Sequence, residues 1–394
     1  MTAAENEVDQ PSVRVSRNVR VLGGVSFLTD TSSEMLYPVI PLYLTEVLLA
    51  PVGVVGIVEG IAEATASVMK GVSGRLADRA PRRLPFVYVG YGLAALAKPL
   101  LAVTASWHGV LAARLIDRTG KGIRGPARDG LISDSTAADQ RGAAYGWHKG
   151  TDTLGAVAGP LIGLGLLTLG MSYTSLFLLA TAPAALGVLL LSAVREPQRD
   201  PPPVTPRVHS AAPRDLRRFL VVMAIFAVGN SSNAFLLLRA RDLGWSPTGV
   251  ILLYVGFNVA YALIASPAGK LSDRIGRRRV LLTGLVASTL VYAGFAIADS
   301  YFWAAILLPL YGAYAGAFGG AGRALVADLA PHDGLAGAMG NYQLVSGLGA
   351  LAASLVAGAL WAAYGPAAPF VYGAATSAIA TVGLVAAIPS TRNA

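Results

Sequence analysis

The chain contains no cysteine. Disulfides, thiolate nucleophiles and cysteine-ligated metals are therefore outside its chemistry. Histidine is scarce too, with four copies in 394 residues and no dense tract. The third shortage is charge. Asp, Glu, Lys and Arg make up 13% of the residues, against about 25% in an average soluble protein. No Ser/His/Asp arrangement stands out. Gly120-Lys121-Gly122 is too short for the GxxxxGK[ST] phosphate loop, so direct ATP use is not supported. An enzyme is not expected, nor is a cofactor or a resident metal. The segment Met1–Arg20 is polar and has no apolar h-region, which argues against a cleaved signal peptide.

What fills the chain is apolar. Hydrophobic residues make up 54% of it. They fall in runs of about 20, each long enough to cross about 30 Å of hydrocarbon. Twelve candidate spans follow: 20–45, 50–72, 84–105, 108–127, 141–167, 174–194, 217–238, 247–268, 280–298, 302–322, 338–362 and 367–388. The expected fold is an all-α membrane protein. Its one break in composition is 195–216, rich in proline (Pro197, Pro201, Pro202, Pro203, Pro206 and Pro213) and read as an extended tether. That divides the chain into an N-terminal segment 1–19, a six-helix bundle 20–194, the linker 195–216 and a second bundle 217–394.

The net charge of +9 is mostly topology. Arg14, Arg17 and Arg20 precede the first span. Lys70, Arg75, Arg79, Arg82 and Arg83 surround the connection between spans 2 and 3. Arg118, Lys121, Arg124, Arg128 and Arg141 lie at the next connection on that side. Arg195, Arg199, Arg207, Arg214, Arg217 and Arg218 lie in or beside the linker. Lys270, Arg274, Arg277, Arg278, Arg279 and Arg323 follow in the second half, and only Arg239 and Arg241 fall on the opposite side. Positive loops stay in the cytoplasm, so both termini and the linker are expected there, in a plasma (inner) membrane protein. Nucleic acid is not an expected partner.

The chain also repeats itself. Gly74-Arg75-Leu76-Ala77-Asp78-Arg79-Ala80-Pro81-Arg82-Arg83 is echoed by Gly269-Lys270-Leu271-Ser272-Asp273-Arg274-Ile275-Gly276-Arg277-Arg278, 195 residues on. Leu131–Asp134 aligns with Leu325–Asp328, and Tyr145-Gly146 with Met339-Gly340, both at 194. Matches at nearly one offset point to tandem duplication of two membrane halves.

The two turns resemble the loop signature of the major facilitator superfamily, and the resemblance covers essentially the whole chain. The first copy departs from it at Pro81, where Gly is usual. Three stretches resemble the twelve-span drug:proton antiporter branch. They are Pro38-Val39-Ile40-Pro41 in span 1, Arg114 six residues before Gly120-Lys121-Gly122 in span 4, and the GxxxGPxxG-like Gly155, Gly159, Pro160 and Gly163 in span 5. The resemblance implies two pseudo-symmetric six-helix bundles and alternating access. It also implies gating roles for Gly74, Asp78, Arg79, Arg82, Gly269, Asp273, Arg274, Gly276 and Arg277. The small face of Gly155, Gly159 and Gly163 lets another helix approach closely, and Pro160 favours a kink. A rocking contact between the halves is expected there.

Ionisable residues inside a bilayer are functional candidates by default. Asp30 and Glu34 are four apart in span 1, as are Glu59 and Glu63 in span 2. Lys98 lies in span 3, and Arg114 and Asp117 in span 4. His148, Lys149 and Asp152 lie in span 5, spaced so that both bases can reach the acid. Carboxylates outnumber fixed cations at this depth, which suggests proton coupling. Arg114 is expected to hold a carboxylate of span 1 or 5 ionised. The second half carries uncharged polar groups suited to substrate contact: Asn230, Asn233, Tyr254, Asn258, Asn341, Tyr342 and Gln343, with Tyr37 from span 1.

The leading expectation is proton-coupled export of a small organic molecule or drug by a monomer. The alternatives are metabolite uptake by proton symport, divalent-cation export through Asp30, Glu34, Glu59, Glu63 and His148, and a non-transporting membrane receptor.

Overall fold

The computed structural model describes residues 16–137, 140–197, 213–330 and 335–387. Those residues form fourteen α-helices. The first half holds α1 (Arg17–Leu36), α2 (Val39–Leu42), α3 (Val52–Arg79), α4 (Leu84–Ala102), α5 (Trp107–Asp134), α6 (Arg141–Thr168) and α7 (Tyr173–Leu190). The second holds α8 (Arg214–Ala227), α9 (Asn233–Asp242), α10 (Pro247–Ile275), α11 (Arg277–Ile297), α12 (Tyr301–Leu329), α13 (Leu335–Tyr364) and α14 (Ala368–Ala387). Arg14, Arg199 and Arg207 lie outside the described residues.

Nine helices among the described residues are long and apolar enough to cross a membrane: α3, α4, α6, α7 and α10 to α14. Three of the twelve expected spans fall outside that set for identifiable reasons. Span 1 carries Asp30 and Glu34 and is interrupted after Leu36. Pro38 lacks an amide hydrogen, and the chain resumes as the short α2 and a π-helical turn, Tyr43–Val47. Span 4, as α5, carries too many charges. Span 7 is not continuous: it breaks between Ala227 and Asn233 into α8 and α9. Gly229 packs against the Thr376 side chain there, leaving no room for a Cβ, and the Ser232 hydroxyl accepts the Ala234 amide to start α9.

Serine caps set other helix starts. Ser106, Ser172 and Ser246 accept the amides of Gly109 (3.4 Å), Ser175 (3.2 Å) and Gly249 (3.1 Å) at the connections away from the duplicated turns. At the opposite end the helices run further than the apolar stretches do. The motif residues Gly74–Arg79 and Gly269–Ile275 are the last turns of α3 and α10, not loop. The turns themselves differ. Gly276 has φ +93°, a backbone favouring glycine, and bends α10 directly into α11. At Pro81 the first copy uses a longer connection before α4 begins at Leu84.

The packing is pseudo-symmetric. α3 packs on α5 as α10 packs on α12. The pairs α4–α5, α4–α7, α1–α7 and α1–α6 have counterparts in α11–α12, α11–α14, α8–α14 and α8–α13. The halves meet chiefly where α3 packs on α13 and α6 on α10, with α2 against α9 beside them. Large apolar side chains such as Leu96, Leu189, Leu290 and Val382 point outward, as a lipid-facing surface requires.

Small residues set the closest approaches. Gly56 faces the Ser354 carbonyl across the α3–α13 seam, and Gly53 meets Gly358. Gly155, Gly159 and Gly163 do not face the second half. They lie on α1, against the carbonyls of Phe27, Thr31 and Met35. The expected rocking contact is thus an internal contact of the first half, because α1 covers that face of α6. Pro160 is buried inside α6, which continues past it.

A Cβ at Gly159 meets α1 backbone, whereas one at Gly165 meets open space. Gly159→Val is expected to destabilise the purified protein by about 1–3 kcal/mol, lowering its thermal-unfolding midpoint in detergent. Gly165→Val should melt like the parent, and equal behaviour of the two variants would contradict the α1–α6 packing.

Candidate functional site

Charge at membrane depth collects around α5. Its Arg114 donates from Nη2 to Glu59 Oε1 of α3 at 2.5 Å, and both side chains are almost fully buried. One turn on, Asp117 accepts from Lys98 Nζ of α4 at 2.6 Å. Lys98 also donates to the Ser33 hydroxyl of α1 at 3.2 Å. A third pair joins Arg118 to Glu63 at 3.2 Å. The spacing of three and four residues puts Arg114, Asp117, Arg118 and Lys121 on one strip of the helix. Arg114 therefore pairs with span 2, not with span 1 or 5, because α3 and α4 flank α5 while α1 faces it across a cavity.

That cavity encloses about 500 Å³ of empty space, its open mouth included. Its charged lining is Asp30 and Glu34 from α1, Lys98 from α4, and Arg114, Asp117, Arg118, Lys121 and Arg124 from α5. Tyr37 lines it as well. The expected excess of carboxylates, counted over all the ionisable groups of spans 1 to 5, does not extend to the cavity lining. Arg124 is buried, with a residual exposure of 5%, and Lys121 opens onto the cavity, so the lining carries five cations against three acids. Three of those cations are held in the pairs above.

The acids of α1 have hydroxyl partners. Glu34 Oε2 accepts from the Tyr254 hydroxyl of α10 at 2.7 Å. The Ser26 hydroxyl lies between Asp30 (3.4 Å) and Asp152 (3.1 Å), and Lys149 Nζ reaches Asp152 at 2.8 Å. His148 does not reach it. Its ring is buried, and neither nitrogen makes a hydrogen bond among the described residues. The five groups weighed as metal ligands are not gathered: Glu59 and Glu63 are in ion pairs, and His148 stands apart.

Several of these groups touch the second half. Ser232, in the break between α8 and α9, donates to Glu59 Oε2 at 3.4 Å and lies 3.5 Å from the Tyr37 hydroxyl. The rings of Tyr37 and Tyr254 stack at 5.3 Å. Asn258 donates to the Ala156 carbonyl at 3.2 Å. Further toward the same end, Arg241 pairs with Glu46 at 2.5 Å. Among the described residues the cavity lining comes from the first half alone, so the polar residues of the second half, Tyr254 and Asn258 included, stand outside it. Asn230 accepts from Tyr292 and Tyr311 within its own half, Asn233 opens α9, and Tyr342 stacks on Phe219 while Asn341 and Gln343 are exposed.

At the other end the duplicated turns pair within their own halves. Arg83 bonds Asp78 at 3.1 Å and Asp134 at 2.9 Å, and Arg277 bonds Asp328 at 2.7 Å with Asp273 at 3.8 Å. Asp134 and Asp328 are the aspartates of the sequence repeat. The partner arginine shifts by one place, to Arg83 rather than Arg82, because the Pro81 turn is longer. Arg79, Arg82 and Arg274 are exposed, and Gly74 and Gly269 have space for a side chain. Glu196 was not foreseen: its carboxylate accepts the backbone amides of Arg83 and Leu84, capping α4 from the start of the linker.

The Major Facilitator Superfamily profile matches this chain twice, over residues 22–229 and 218–393. An uncharacterised MFS-type transporter of Methanocaldococcus jannaschii is 35% identical over 383 residues, 95% of each chain. An uncharacterised protein of Mycobacterium tuberculosis is 31% identical over 361 residues, 87% of this chain and 86% of that one. A multi-drug resistance efflux pump PmrA homolog of Lactococcus lactis is 25% identical, with 89% of each chain covered. Among solved structures, a point mutant of the nucleoside transporter NupG superposes with TM-score 0.80 at 14% identity, over 95% of this chain and all of that one. A duplicated helical fold, polar groups at membrane depth and these matches lead to one assignment: the chain belongs to the major facilitator superfamily, as a multi-pass membrane transporter that moves a small molecule by alternating access.

Proposed function

We propose that this chain is a proton-coupled transporter of a small organic solute, with Asp30 and Glu34 as the proton-carrying groups. The observation that carries the reading is the Glu34–Tyr254 bond. A cavity carboxylate with no ion-pair partner among the described residues holds the opposite half of the molecule through one hydroxyl. Protonation of Glu34, or a solute beside it, changes that bond and so links cavity occupancy to the seam between the halves. The groups facing Asp30 and Glu34 are Asp152 of α6, Arg118, Lys121 and Arg124 of α5, and Tyr254 of α10. A double match to one family profile and the paired helix contacts support two six-span bundles, 20–194 and 217–394, joined by 195–216. Basic residues at one end support cytoplasmic termini in a plasma membrane. On that orientation the Glu46–Arg241 pair closes the outer end, and the conformation faces inward.

Coupling of either sign suits such a pocket. Symport fits the lining better: when Asp30 and Glu34 take up protons, Arg124 and Lys121 lose their counter-charge, while the other three cations stay paired with Asp117, Glu59 and Glu63. Export by antiport is the second reading, favoured by the names of relatives near 25% identity. Divalent-cation export is not favoured, since its ligands are dispersed.

Liposomes holding a pH-sensitive dye separate these readings when carboxylates, neutral drugs and organic cations are added outside in turn. Interior acidification on addition marks symport, and alkalinisation marks antiport. Solute flux without a pH signal would remove the proton coupling. The double variant Asp30→Asn, Glu34→Gln is expected to retain no pH-driven transport. If it does, the carrier lies elsewhere and Asp152 is next.

Arg114→Ala strands the buried Glu59 carboxylate. It should abolish transport and cost about 3–5 kcal/mol of stability, while the protein still reaches the membrane. Adding Glu59→Gln should recover most of the thermal stability without recovering flux. Wild-type flux in Arg114→Ala would refute this role.

A further inference from the structure

Three of the five cavity cations have carboxylate partners, as Lys98–Asp117, Arg114–Glu59 and Arg118–Glu63. Arg124 and Lys121 have none within ion-pair distance among the described residues. Arg124 is 5% exposed, its guanidinium lies 4.5 Å from the centre of the Tyr91 ring, and its buried Nη1 makes no hydrogen bond among those residues. A guanidinium held this deep without an anion is costly. The Tyr91 face holds its orientation, which leaves donors for something else. Lys121, three residues earlier on α5, opens onto the same cavity. An arginine fork beside a lysine is suited to binding a carboxylate or a phosphate.

We propose that Arg124 and Lys121 form the site that takes the anionic group, carboxylate or phosphate, of a small water-soluble substrate. The proposal rests on the transport reading and narrows its substrate class. Across the cavity stand Asp30 and Glu34, also without a cation within ion-pair distance among the described residues. Around them stand Ser26 of α1, Asp152 of α6 with its partner Lys149, and Tyr254 of α10. Ionised, Asp30 and Glu34 balance Arg124 and Lys121 and repel an anion. Protonated, they leave those two charges unopposed. Anion and proton therefore favour each other's binding, and linkage makes that reciprocal. This is the coupling sign of a symporter. A cationic drug would meet the opposite field.

The absence of native cysteine permits a direct test. Ser33→Cys puts one thiol on the cavity wall. In purified full-length protein, its labelling is compared for two small methanethiosulfonates, one ending in sulfonate and one in trimethylammonium, each normalised to a free thiol. At pH 5.5, with Asp30 and Glu34 protonated, the sulfonate reagent is expected to react faster by about tenfold or more, the effect of two unopposed charges in a partly dry cleft. The preference should be larger at pH 5.5 than at pH 8. Lys121→Gln, at an exposed position, should reduce it without threatening the fold. Arg124→Gln should reduce it further, and Arg124→Lys should restore part of it. Glutarate or inorganic phosphate at millimolar concentration should slow the labelling, and the stronger of the two names the preferred headgroup. At pH 5.5, equal rates, a preference for the cationic reagent, no labelling by either, or protection by neither anion would overturn the site. Labelling needs no transport. Anion selectivity without proton-coupled flux would keep the site and lose the transport reading, and coupled flux with cation selectivity would do the reverse.

Discussion

A charge inside a bilayer must find its counter-charge within the protein, and that constraint shapes the first half of this molecule. Helix α5 is too charged to count as a membrane span by composition. It is tolerated because α3 supplies Glu59 and Glu63 to its arginines, and α4 supplies Lys98 to its Asp117. The pairs bind three helices into one unit, and removing one partner strands a charge in a low-dielectric interior. What the pairing leaves over is the chemistry. Two acids on α1 and two cations on α5 face one cavity, each without an ion-pair partner among the described residues.

The seam between the halves has one ion pair, Glu46–Arg241, and is otherwise held by weaker contacts. Small residues bring α3 against α13, and hydroxyls of Ser232 and Tyr254 reach carboxylates of the first half. Such contacts are cheap to break and remake, as a molecule with two access states requires. The ion pairs of the duplicated turns stay within their own halves. A single conformation thus combines a charged three-helix unit, a seam held by few polar contacts and two turns that do not pair with each other.

The sequence repeat is visible because its charged turns stand out against an apolar background, and the two halves with their matched packing follow from it. Helix ends are less visible. Apolar runs stop at the hydrocarbon edge, while α3, α5, α10 and α12 continue beyond it, so the signature Asp78 and Asp273 belong to helices. The break at Gly229–Ser232 is hidden because its flanks are apolar enough to read as one span. The shift from Arg82 to Arg83 came from the single exchange of Gly276's counterpart for Pro81.

Composition and spacing by themselves determined that this is a duplicated helical membrane protein with its basic residues at one end and ionisable groups in spans 1 to 5. Burial and periodicity are properties of single helices, so a linear reading reaches them. Partner choice is not. Whether Arg114 meets Glu59 or Asp30, whether Gly159 faces α1 or the other half, and whether Arg124 ends unpaired depend on how helices are rotated and placed around one another. Only the tertiary structure decided that Asn230 stays within its own half, that Tyr254 bonds Glu34, and that the cavity is cationic when its two free acids are protonated. The physical reason is that electrostatic pairing acts over a few ångströms between residues some twenty to two hundred positions apart.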